Sequence, residues 1–362
     1  MQVYDATVVG VYVPTVTHAG NAYDARTVSP VMTRDERLYA LRGRGLPDGI
    51  ADAVCTSCEH FARRFWILDN SGSMQTADGT RLVRSRNKEG FATSSRWEEL
   101  CDSVRVHADV AALCRAPTEF LCLNPPANAP QRCEVGCAPD SSRELDAVRA
   151  ICASDPRGMT PLCAAIRSVV AQIRALEPML RATGRQAMFV IASDGEPSDG
   201  SVANELRALN SLPVMTIIRL CTDDQQMTDF WERIDKDLEG NLDILDDLSS
   251  ESREIAGVCP YLTYGLPLHH LREWGCHSTL LDILDEKPLT KSQLAQLAVL
   301  VIGQRAADLP SPELDWRAFL TALNTAQADN TVFSPTRKNL QPWFDIKKVN
   351  AAYGGSQACL LS

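Results

Sequence analysis

Short, continuously apolar runs recur along the first two thirds of the chain, each ending in a polar turn. Phe65-Trp66-Ile67-Leu68 stops at Asp69, and residues 118–123, 187–192 and 214–220 have the same character. A strand without polar alternation is one buried on both faces, as in a parallel sheet. Between these runs the apolar positions change to helical spacing. Leu100, Val104 and Ala108 mark one face of residues 96–115, with Ser94 or Ser95 available as N-cap. Residues 144–152, 162–181, 202–209 and 227–238 repeat the helical pattern. Strands alternating with amphipathic helices predict a doubly wound α/β fold around a mainly parallel sheet.

Other stretches depart from this rhythm. Residues 75–94 are polar and punctuated by glycine, as a hairpin would be, and residues 124–140 are proline-rich and predict loop. No period persists over residues 1–61, which predicts an irregular lead-in with local order only around residues 36–45. Beyond residue 240 only helical spacing remains, through Leu242, Leu245, Leu248 and Ile255. Thr290 and Gln293 form a capping-box pattern, and Ser311-Pro312 offers an N-cap with proline at the first helical position. The expected organisation is an α/β domain over 62–240, a helical region over 241–345 packed on or beside it, and a tail over 346–362.

Length and composition narrow the classes. At 362 residues the chain suits two domains better than one, and a net charge of -10 argues against a general nucleic-acid binder, which needs a basic face. No run of 18 apolar residues is present, so no transmembrane helix is expected. The first residues lack the basic start of a secretory signal. A cytoplasmic protein is expected, with its 13 cysteines held as thiols.

Candidate chemistry gathers where the apolar runs end. Asp69, Ser71 and Ser73 occupy the turn after the first strand, Asp194 follows the strand over 187–192, and Thr160 lies in the loop before a helix. In an open parallel sheet such loops share one rim, outside the carboxyl ends of the strands. Mg2+ is a hard ion that takes six oxygens in near-octahedral geometry and retains some of its waters. Small hydroxyl-bearing side chains can crowd around it without neutralising it. An ion left electrophilic in this way accepts a carboxylate from another molecule.

The Asp-x-Ser-x-Ser run at 69–73, the threonine of Gly158-Met159-Thr160-Pro161-Leu162 and the aspartate of Ser193-Asp194-Gly195 together resemble a known site. It is the metal-ion-dependent adhesion site of the von Willebrand factor A and integrin I domain family. The resemblance covers about residues 62–240. Segments such as SSRWEELCDSV are also similar to uncharacterised intracellular eukaryotic members of that family. It implies Ser71 and Ser73 as direct ligands, Thr160 as a direct ligand once a partner is bound, and Asp69 and Asp194 contacting the metal directly or through water. It also implies Mg2+ as the ion, with Mn2+ or Ca2+ as alternatives, and a protein partner presenting an Asp or Glu carboxylate. The expected function is therefore a metal-dependent protein-binding module, an adaptor or scaffold.

Competing chemistries are weaker. A Mg2+-dependent enzyme of phosphoryl transfer or hydrolysis stays open as the alternative, but a haloacid-dehalogenase-type phosphotransferase would want an aspartate where Ser71 stands. No phosphate-binding loop, nucleophile elbow or zinc-protease motif is present. Cys55, Cys58, Cys133 and Cys137, with His60 near, have zinc-like spacing in part. His269, His270, Cys276 and His277 form a second cluster, on a pattern more typical of packing residues. The ending Cys359-Leu360-Leu361-Ser362 matches a C-a-a-X box, which would make Cys359 a farnesyl acceptor and give a weak membrane attachment.

Overall fold

The computed structural model describes residues 32–85, 88–238, 242–276 and 278–354; His277 and Cys359 lie outside them. Helices α1 (Arg34–Gly43) and α2 (Asp48–His60) lead into strand β1 (Phe61–Leu68). A hairpin of β2 (Gly79–Ser85) and β3 (Lys88–Ser94) comes next. Then follow α3 (Arg96–Cys114), β4 (Thr118–Cys122), β5 (Arg132–Val135), α4 (Ser142–Cys152) and α5 (Leu162–Thr183). The remaining sheet segment is β6 (Gln186–Ser193), α6 (Val202–Leu206), β7 (Val214–Leu220), α7 (Gln225–Leu238) and β8 (Leu242–Leu245). Beyond it come α8 (Leu248–Val258), α9 (Leu266–Glu273), longer helices at Lys291–Ile302 and Trp316–Ala326, a small hairpin, and a helix at Ile346–Tyr353.

The central sheet has six strands in the order β5-β4-β1-β6-β7-β8. All neighbours run parallel except β5, which lies antiparallel on the edge. This is the doubly wound α/β arrangement that the apolar runs predict. The chain winds outward from β1 through β4 to one edge, then returns beside β1 as β6 and winds to the other. Strand order therefore reverses between β1 and β6, the place where open sheets leave a crevice.

Alternation along each strand divides the interior in two. Phe65 and Ile67 of β1, with Phe189 and Ile191 of β6, face Ile166, Val169 and Ile173 of α5 and Trp231 of α7. Trp66 and Leu68, with Val190 and Ile217, face the opposite layer of Leu100 and Val104 of α3. Burying each such Leu, Ile or Val stabilises the fold by roughly 1.5–3 kcal/mol relative to exposure. Ser95 proves to be the cap of α3, in a capping box with Glu98, and Thr290 caps its helix as its pattern predicts.

Several expectations need correction. The lead-in is not irregular within the described residues, because α2 buries Ile50, Val54, Cys55 and Cys58. It packs so closely on the helix at Lys291–Ile302 that a Cβ at Gly49 would sit 2.3 Å from the Leu300 carbonyl oxygen. The proline-rich stretch is largely loop, as its composition predicts, with the short strand β5 inside it. The sheet continues past residue 240. Leu242–Leu245 is not helical but the edge strand β8, and Leu248, Ile255, Leu268, Leu294 and Phe319 join the same apolar cluster as Trp66 and Leu100. The presumed tail begins as the helix at Ile346–Tyr353, with Val349 buried. Ser311-Pro312 does not open a helix; Asp315 caps the one that starts at Trp316. No helix among the described residues is long and apolar enough to cross a membrane.

The C-terminal helices are fastened to the sheet by a seam of buried charge. Arg219 of β7, 1% exposed, donates to Glu99 of α3 at 3.0 Å and to Glu273 of α9 at 3.3 Å. Glu99 also accepts the Thr80 backbone N–H at 2.7 Å, which ties in the hairpin. Glu273 lies 2.8 Å from His107 Nε2, and Arg272 donates to Glu251 of α8 at 2.6 Å. Burial opposes the charge on Glu273, yet the hydrogen bond from His107 and the nearby histidines hold its carboxyl well below the usual range.

Candidate metal centre

The rim at the carboxyl ends of β1 and β6 is assembled by short local bonds. Asp69 continues the line of β1, its backbone N–H reaching the Ala192 carbonyl of β6 at 2.9 Å. Its Oδ1 accepts the Ser71 backbone N–H at 2.9 Å, which folds the chain into a tight turn. Its Oδ2 accepts the Ser193 hydroxyl at 2.6 Å, from the last residue of β6. That turn brings the Ser71 and Ser73 hydroxyls to 3.0 Å from each other, and Ser73 donates to Asp194 Oδ1 at 2.8 Å. Arg96, at the start of α3, donates to Asp194 Oδ2 at 2.8 Å and grips Asp78 with two further bonds of 2.8 and 2.6 Å.

Thr160 arrives by backbone. The Gly72 N–H donates to the Gly158 carbonyl at 3.1 Å, and the Thr160 carbonyl accepts the Ser198 N–H at 2.9 Å in the loop after Asp194. Asn70 and Asn124 brace this side: the Asn70 side-chain amide donates to the Asn124 carbonyl and accepts its N–H, both at 2.8 Å, and the Asn124 amide donates to the Met159 carbonyl at 2.8 Å. Gly158 has φ +94°, and a Cβ there would meet Asn124 Oδ1 at 2.6 Å, so glycine alone suits the crossing. Asp199 finishes the arrangement by capping α5, accepting the Cys163 and Ala164 N–H groups at 3.0 and 2.8 Å. All five residues singled out in the sequence thus lie in three loops at one rim. Four are joined through side chains and Thr160 through its main chain.

The electrostatics follow from burial. Desolvation raises the Asp69 carboxyl above its ordinary range, with the charge of Asp194 adding to the effect and the bonds from Ser193 and Ser71 opposing it. The hydrogen bond from Arg96 lowers Asp78. As to metal fit, the donors at the rim are oxygens alone, which suit a hard cation and not a soft one. Ser73 gives its only proton to Asp194, so it accepts the Ser71 hydroxyl on one lone pair and keeps the other for a cation. Among the described residues no group of three or more His, Cys, Asp and Glu is placed to hold a metal. This rim has two carboxylates and draws its other donors from hydroxyls.

The other candidates disperse. Cys58 of α2 bonds Cys114, whereas Cys133 is on edge strand β5 and Cys137 lies by Glu134, so the four sulfurs do not gather for zinc. His269 is buried in the seam and His270 is half-buried beside it, and desolvation pushes them down to about 3 and about 4. They are neutral packing histidines. The thiol of Cys276 donates to the Ala53 carbonyl. Sequence reasoning missed Arg96, Asn70, Asn124 and Ser193 at the rim. Only Asn70, inside the run at 69–73, and Ser193, adjacent to Asp194, carried any signal for it.

No protein-family model matches the chain, and no curated protein matches it. Among solved structures, it is similar to proximal thread matrix protein 1 from the mussel byssus. The identity is 15%, over 45% of this chain and 38% of that one, with a TM-score of 0.28. The chain thus spans well under half the length of that protein, and a likeness at this level carries no argument about function.

Proposed function

We propose that this chain is a von Willebrand factor A-type protein-binding module whose rim holds a divalent cation, Mg2+ first among the hard ions. The ion would bind an Asp or Glu carboxylate of a protein partner. The observation that supports this most is the hydrogen-bonded line from Asp69 through Ser71 and Ser73 to Asp194, at the point where strand order reverses. With neutral hydroxyls as direct ligands and the aspartates acting partly through water, the ion would keep much of its positive charge at its open face, and so attract a carboxylate of the partner. On this reading Ser71, Ser73 and Thr160 supply hydroxyl oxygen, and Asp69 and Asp194 anchor the ion directly or through water.

Two measurements test it. Calorimetric titration with Mg2+ and with Mn2+ is expected to give heat with the intact chain and none with the Ser71→Ala/Ser73→Ala double variant. Affinity capture in Mg2+ and in EDTA is then expected to give partners only with the metal. Equal metal affinity in the double variant would remove the site, and partners captured equally in EDTA would remove the role of the ion.

A further inference from the structure

Arg96 is the one positive side chain hydrogen-bonded to the carboxylates of the rim among the described residues. Its position is unusual for a mere prop. One end of the guanidinium meets Asp194, whose side chain is 0% exposed, while the rest is held by Asp78, which is 39% exposed. The fork is fixed further at its base, where the Arg96 backbone N–H donates to the Thr76 carbonyl at 3.0 Å. A full positive charge is thereby stationed against an inner carboxylate, with its counter-charge set farther out in water.

Resting on the reading of this rim as a cation site, we propose that Arg96 sets how tightly the site holds its divalent ion. It offsets part of the negative charge of Asp194. The ion is bound less tightly than two free carboxylates would bind it, and it keeps more of its own charge for an incoming carboxylate. Like charges a few ångströms apart repel with an energy that falls only as the inverse of distance. Even with water-like screening, removing such a charge should tighten a divalent ion roughly tenfold. Removing Asp78 should do the reverse, because the arginine's charge then stands uncompensated.

The two variants separate a charge effect from a strut. A strut broken from either end lets Asp194 drift, so Arg96→Gln and Asp78→Asn would both weaken metal binding. A charge effect gives opposite signs. Titration of the full chain with Mn2+ alone, with thermal melting to confirm folding, is expected to show tighter binding in Arg96→Gln. Weaker binding is expected in Asp78→Asn, and near-original affinity in the double variant, where the two charges cancel. Weaker or unchanged binding in folded Arg96→Gln, with heat still seen in the unaltered chain, overturns the role of Arg96 and leaves the site standing. Absence of heat in every protein, Arg96→Gln included, overturns the site and this proposal together.

Discussion

Asp194 and Glu273 are both buried carboxylates gripped by arginines, but their surroundings differ. The arginine on Asp194 reaches outward to Asp78 in solvent, and the remaining neighbours are small hydroxyls. The arginine on Glu273 is itself 1% exposed, and its other partners, Glu99 and the thiol of Cys221, lie inside the fold. On the proposed reading, an incoming cation would replace a hydrogen bond at the rim with a coordination bond. In the seam nothing can be exchanged. A buried ion pair adds little net stability over a well-packed apolar pair, but losing one partner strands the other. The proposed function asks the rim to change partners, whereas the seam's partners are enclosed on all sides.

The comparison predicts the largest effect at Glu273. Glu273→Ala leaves Arg219 and His107 short of a buried acceptor, and a cost of about 3–5 kcal/mol in denaturant unfolding is expected. A change of less than ~1 kcal/mol would show that the seam reaches water. The acid limb tests a smaller effect. Asp246, just after β8, has one buried oxygen without a partner, and burial with nearby Glu254 and Asp247 pushes its carboxyl up to about 6. A carboxyl raised in the folded state binds its proton more tightly there than in the unfolded chain. Its favourable contribution is therefore complete below about pH 4 and is lost as the pH rises through about 6. Asp246→Asn should then stabilise the chain by about 1–2 kcal/mol at pH 7.5, allowing for its partial exposure, and change little at pH 4. Equal effects at both pH values would remove Asp246 from the account. The smallest effect belongs to the rim. Without metal, Ser71→Ala/Ser73→Ala should shift stability by less than ~1 kcal/mol, as loss of partly solvated hydrogen bonds does. A loss as large as that of Glu273→Ala would erase the distinction.

The same difference explains what could be read from the sequence. Rim residues sit within a few positions of an apolar run, and their hydroxyl-rich composition belongs to turns, so Asp69, Ser71, Ser73, Thr160 and Asp194 stood out together. Arg96 did not, because a basic residue opening an amphipathic helix looks like ordinary surface. The seam was illegible for another reason: Arg219 and Glu99 are 120 positions apart, and His107 and Glu273 are 166 apart. Nothing local marks such pairs. Helix α2 was missed because much of its buried face is Gly49, Ala51, Cys55 and Cys58, too small to produce a strong apolar period. Strand β1 was read as starting at Phe65, yet it begins at Phe61. Arg63 and Arg64 run through it buried, the latter lying 4.1 Å from the Trp274 ring centre and donating to the Ser57 hydroxyl. Strand β8 was missed because Leu242 and Leu245 fit a helical spacing as well as a strand.

The order in which the seam's members leave the ribosome gives Arg219 a further consequence. Its strand is synthesised before the carboxylate of Glu273 exists, and until then Arg219 has only Glu99 of α3 as counter-ion and one face of the sheet lacks its cover of C-terminal helices. Exposed apolar surface of this kind is what chaperones hold and what aggregation begins from. Completion of this face is therefore expected to wait for α9, and not only for the synthesis of the last strand. Ribosome-stalled chains that end before α9 should be cut readily by protease within β7, whereas chains long enough to expose α9 should resist.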